Sequence, residues 1–306
     1  MRMQSVLIGA VVAVAIFLPA NAADSGWING AWKSFDAHGL KLEDVVGNVV
    51  VDVKDQGPIA VQISGAPERV NQVHVTVRGD TVKISSEAVG TVWDWKHWFD
   101  FSNVGKSRAD QLQIHIAVPR GAPVDAEVDA GNVVIGNTMG PLTFSVQGHT
   151  NSSVGNVASA KIEMAGSGKL SVGNVAGFAK LETAGSGNIR VGDVAKVKAD
   201  IAGSGSVAVG NIRGGGVDVD IAGSGDFSAA SVMGPTSASI AGSGSVTIAS
   251  GEASPFKVEI MGSGNVSFGG VAVNPRIEAM GSGNVRIKSY RGTLSNEGMA
   301  KINVGG

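Results

Sequence analysis

The chain has 306 residues, 43% of them apolar, enough for one large unit or two domains with a real core. Glycine is the outlier at 45 residues, against a usual share of about 7%, and no Gly-X-Y period accompanies it, which excludes collagen. The formal charge of −2 gives no electrostatic reason to expect a nucleic-acid or anionic-membrane partner, and the lack of cysteine excludes disulfides, thiolate chemistry and a lipidated cysteine.

Met1-Arg2, the apolar run from Val6 to Leu18 and Pro19-Ala20-Asn21-Ala22 have the layout of a secretory leader: a charged start, a hydrophobic stretch and a small-residue cleavage site. Residues 1–22 are therefore read as a signal peptide cleaved after Ala22. The protein is expected to pass the inner membrane and to reside in the periplasm, on the outer surface or outside the cell. The hydrophobic stretch is shorter than the about 20 apolar residues of a transmembrane helix, and no later segment qualifies.

Residues 23–125 are expected to form an N-terminal β region. Val49 to Val53, Ile59 to Ile63, Val73 to Val77, Val82 to Ile84 and Leu112 to Val118 read as strands. Val75 to Ile84 looks like a hairpin with Gly79-Asp80 at its tip. Its Arg78-Gly79-Asp80 matches the tripeptide that integrins read, but a Gly-Asp turn suffices to explain it. Between the last two strands lies Trp93-Asp94-Trp95-Lys96-His97-Trp98-Phe99-Asp100-Phe101, which holds three of the five tryptophans. Aromatic residues bury large areas and anchor recognition. Trp93, Trp95, Trp98, Phe99 and Phe101 are thus the candidate binding surface, with an apolar lid over the open solenoid end as the competing role.

From residue 126 to 306 the chain is governed by a repeat. Gly-Ser-Gly begins at Gly166, Gly185, Gly203, Gly223, Gly242, Gly262 and Gly281, at intervals of 18 to 20 residues. Four and two residues before that glycine, and four and six after it, 27 of 28 positions are apolar, the exception being Thr183. The positions between them are polar: Glu163, Glu182, Asp200, Asp220, Ser239, Glu259 and Glu278 three before the turn, and Lys161, Lys180, Lys198, Asp218, Ser237, Lys257 and Arg276 five before. Alternation of this kind is the mark of strands with one buried face. A second turn follows at Gly173-Asn174, Gly192-Asp193 and Gly210-Asn211, then a variable third side. The expected fold is all-β: a right-handed parallel β-helix of about 19 residues per coil, its first coil capped by the N-terminal strands, with seven Gly-Ser-Gly coils stacked about 4.8 Å apart. A β-propeller is excluded, because its blades need about 40 to 45 residues.

No constellation of catalytic residues emerges. The serine ladder from Ser167 to Ser282 could offer hydroxyls to a polysaccharide, although Gly-Ser-Gly also suits a corner for backbone reasons alone. The acidic column could hold cations or catalytic carboxylates, but the basic column two residues away offsets it. The five histidines, at 38, 74, 97, 115 and 149, show no metal-ligand spacing, and no Gly-rich segment precedes a helix as a phosphate site would. No metal, cofactor or catalytic residue is expected.

Ile63-Ser64-Gly65-Ala66-Pro67, Arg78 to Ile84, Ile114-His115-Ile116-Ala117-Val118-Pro119 and the Gly-Ser-Gly array, in that order, resemble the bacterial family described as "putative auto-transporter adhesin, head GIN domain", a domain of unknown function. The resemblance covers most of the chain beyond residue 22. It implies a β-helical exported protein with an adhesive or surface role, and it carries over no catalytic residues. The combined expectation is an exported, non-catalytic structural or adhesin-like protein contacting a surface, a glycan or a cell-surface protein, with end-to-end self-association through the coil near Tyr290 to Gly306. The alternatives are a carbohydrate-active lyase or hydrolase, which would show carboxylates and basic residues breaking the repeat within one groove, and a periplasmic envelope module.

Overall fold

A computed structural model describes residues 23–24, 29–86 and 112–305. The expected leader at 1–22 lies outside them. The described residues are nearly all β, 75% strand against 2% helix, and form a β-solenoid of about 9 turns with a spacing of about 19 residues. No helix among the described residues is long and apolar enough to cross a membrane.

Alternation produces the coils directly. The segments Ser159–Val172, Val175–Gly185, Val194–Gly203 and Val217–Gly223 pair in parallel with residue-to-residue register, so Ile162, Leu181, Ala199 and Val219 form one inward column. All 28 positions read as inward are at most 6% exposed, Thr183 included. Side chains also meet across the core within one coil, as where the stacked Phe256 and Phe268 rings lie 5.2 Å apart. A third column closes the cross-section: Val157, Val175, Val194, Ile212 and Val232, each buried.

Both turns are fixed by close approach between coils. The first glycines, Gly166 to Gly262, stack in register at φ between +106° and +130°, where a side chain is strained. The third glycine is excluded volume: a Cβ on Gly225 would stand 2.4 Å from Ile201 Cγ2 of the preceding coil. At the second turn an asparagine ladder runs down the stack. Asn137 Oδ1 accepts the Asn156 amide, Asn156 that of Asn174, Asn174 that of Asp193 and Asp193 that of Asn211, each at 2.8 Å. These side-chain oxygens, three carboxamide and one carboxylate, satisfy backbone donors that the turn would otherwise leave open.

At the N-terminal end the order is β1 (Ala23–Asp24), β2 (Trp32–Phe35), β3 (Gly39–Lys54), β4 (Ile59–Ser64), α1 (Pro67–Val70), β5 (Val73–Arg78), β6 (Thr81–Ser86), β7 (Gln113–Pro119) and β8 (Val124–Ile135). Strand β3 pairs in parallel with β8, so coil-like stacking extends N-terminal to residue 125. On its other side β3 meets β6 with its first half and β7 with its second. Beyond these the direction reverses: β4 and β2, and β5 and β1, add antiparallel strands that cover this end of the stack. The expected hairpin is present as β5 and β6, and its tip residue Asp80 is held by His38, whose Nδ1 lies 2.7 Å from Oδ1.

Candidate functional site: an axial groove on one face

Outward positions on the strand before the Gly-Ser-Gly corner form two walls. Three residues before the corner stands the acidic column. One residue before it stand Ala165, Ala184, Ala202, Ala222 and Ala241, then Met261 and Met280, all exposed. Because the strands are in register, each wall runs continuously along the stack. The first stretch of the groove between them holds about 510 Å³ and spans Glu163 to Ala241; the next, of about 350 Å³, continues to Gly298.

The acidic wall is largely paired. Lys161 lies 2.6 Å from Glu163 and Lys180 2.5 Å from Glu182, and Lys257 pairs with Glu259. The hydrogen bond from Lys161 holds the Glu163 carboxyl below its ordinary range, and the same bond raises Lys161. The alternating signs therefore give the mixed face expected from the sequence. The pattern lapses at two successive coils: Ser237 and Ser239 remove both charges at one, and at the coil before it Asp218 replaces a lysine. Lys198 then faces three carboxylates, Asp200, Asp218 and Asp220, at 3.3, 3.4 and 3.0 Å. Its ammonium is raised, chiefly by the bond to Asp220, while burial pushes the Asp200 carboxyl up.

Beside the groove, the serine ladder is exposed from Ser167 to Ser282. The amides of Ser186, Ser204, Ser224, Ser243 and Ser263 donate to the glycine carbonyl of the preceding coil at 2.9 to 3.0 Å. The backbone role is thus real, and the hydroxyls still face solvent; Ser167 Oγ lies 3.3 Å from His149 Nδ1. Trp93, Trp95, Trp98, Phe99 and Phe101 lie outside the described residues. Among the described residues, no group of three or more His, Cys, Asp or Glu is placed to hold a metal ion. The alanine and methionine wall was legible as Ala-Gly-Ser-Gly changing to Met-Gly-Ser-Gly, a signal hidden by reading the tripeptide only as a turn.

Among solved structures, the chain is similar to a "putative adhesin" from Bacteroides fragilis, at 16% identity over 94% of this chain and 99% of that one, with a TM-score of 0.36. It is also similar to a "putative adhesin" and a "putative lipid binding protein" from Parabacteroides distasonis, each at 16% identity over 95% and 99% of the chains, with a TM-score of 0.38. No curated protein matches. The family model described as "Putative auto-transporter adhesin, head GIN domain" matches residues 41–248, from the first coil strand through most of the groove, and the chain belongs to that family.

Proposed function

We propose that this protein is an exported, non-catalytic, adhesin-like binding protein that holds a polysaccharide along its axial groove, with Trp93 to Phe101 as a second contact. The observation that carries this reading is the groove itself: successive coils present an acidic column, interrupted at Ser239, beside a column of alanine, so a polymer with its own repeat can make a similar contact many times. Multiple weak contacts in series supply avidity without any single deep pocket. Export rests on the leader at residues 1–22, and end-to-end association through the coil near Tyr290 to Gly306 is part of the same reading. The test is a glycan array with the purified protein, paired with a biofilm-adhesion assay. Binding in both, reduced by Trp95→Ala, is the expected result; no binding in either overturns the reading.

The Lys198 cluster favours a second reading, a polysaccharide lyase or hydrolase, because Asp218 breaks the repeat there and brings three carboxylates onto one lysine. Such an enzyme would turn over an acidic polysaccharide, and Asp220→Asn would abolish turnover while leaving the unfolding midpoint unchanged. A protein that binds its glycan without cleaving it retains the first reading. Cell fractionation separates both from a periplasmic envelope module.

A further inference from the structure

The wall beside the acidic column changes character along the stack. Five coils place alanine one residue before the corner, the next two place Met261 and Met280 there, and Met299 follows in the last coil, before Ala300 rather than a Gly-Ser-Gly corner. These methionines are 54%, 72% and 77% exposed, so they do not fill gaps in the core, the ordinary use of this side chain. Met261 and Met280 are register partners. Met299 stands opposite Met280, since Glu297 and Gly298 pair with Glu278 and Ala279 and the Met299 amide donates to the Ala279 carbonyl at 3.0 Å.

We infer that Met261, Met280 and Met299 form a thioether site for a soft monovalent cation, Cu(I) or Ag(I). Parallel neighbours lie about 4.8 Å apart, and each unbranched thioether side chain has three rotatable bonds, so sulfurs from adjacent coils can turn onto one ion. Neutral sulfur donors select Cu(I)-type ions and reject Mg²⁺ and Ca²⁺, which require hard oxygen ligands. The opposite wall supplies the charge. Glu259 is engaged by Lys257, whereas Glu278 and Glu297 form no ion pair among the described residues. Arg276, on the next outward column, compensates one of these two carboxylates at most, so a net negative charge faces the thioethers. This site is independent of the polysaccharide reading, because it lies at the methionine end and needs no polymer.

The experiment titrates Ag(I), and Cu(I) under anaerobic conditions, into the full chain labelled at its methionine methyl groups. The expected result is saturation at one ion, with the signals of Met261, Met280 and Met299 shifting together while those of Met139, Met164 and Met233 stay in place. Outer-sphere changes around metals cost about 10–100-fold in affinity, so replacing the central ligand by Met280→Leu, which keeps an apolar side chain of similar volume, should weaken binding by at least about tenfold. Shifts spread equally over Met139 and Met233, or undiminished binding by Met280→Leu, would overturn the assignment.

Discussion

Gly192 shows how tightly single residues are specified where coils touch. A Cβ there would stand 2.4 Å from Asn174 Oδ1, the acceptor that caps the Asp193 amide. Gly192→Ala therefore forces the ladder apart, and a loss of about 1–3 kcal/mol is expected from overpacking, read as a lower urea midpoint. Thr183 predicts the opposite sign. It occupies an inward position at 2% exposure, and its hydroxyl has no partner. Removing an unsatisfied buried hydroxyl relieves a penalty of about 1–3 kcal/mol, so Thr183→Val should raise the midpoint. Asp193 makes the ladder sensitive to acid. The Asn211 amide, and after it the Arg213 guanidinium, holds its carboxyl below the ordinary 3.8. A lowered folded value means that the contribution is complete above 3.8 and is lost as pH falls through the folded value. Wild type should thus lose more of its midpoint on acidification than Asp193→Asn; equal losses would remove the ladder from the account. The Gly-Asn pairs were visible in the sequence. That each carboxamide serves the next coil was not, because the bond joins residues 18 or 19 apart whose contact exists only once the coils stack.

At the level of the strand, period-two alternation was sufficient to orient every inward position of the seven repeats, and it worked even for Thr183, the polar exception. It failed on the third side. Val157, Val175, Val194, Ile212 and Val232 each contribute one buried side chain per coil, and one residue per coil generates no alternation to recognise. The available signal was position, since four of the five follow directly on the Gly-Asn or Gly-Asp pair of the second turn. The N-terminal strands were legible as strands, but their arrangement was not. One side of β3 is covered by β6 and β7, two segments separated by residues 87–112, so no regular spacing announces that they share a coil wall. The two kinds of inward column should be energetically equivalent. Ile212→Ala and Ile201→Ala are each expected to cost about 2–5 kcal/mol, the range for emptying a buried aliphatic site, while outward Arg190→Ala should stay within about 0.5 kcal/mol. Urea unfolding of the three variants checks this, and a mild effect at Ile212 would mean that the third side is not part of the core.

For the whole molecule, the repeat converts local chemistry into axial surfaces. Each coil contacts only its neighbours, so a residue type repeated at one position becomes a continuous stripe. The asparagine ladder and the glycine corners hold the register. The stripes of acid, alanine and methionine then define the groove, which is the feature that gives an otherwise uniform rod a binding face. The alanine stripe was present in the sequence, yet its exposure follows only from the fold, because a small residue before a turn is equally compatible with burial. The direct measurement of this account is the binding of polysaccharides to wild type and to Ala202→Arg/Ala222→Arg, whose long cationic side chains would fill the groove beside Asp200 and Asp220. Thr247→Arg, on another exposed face, serves as the control. The account predicts binding by wild type and by the control, and loss of binding by the groove variant at an unchanged unfolding midpoint. Equal binding by all three proteins would contradict it.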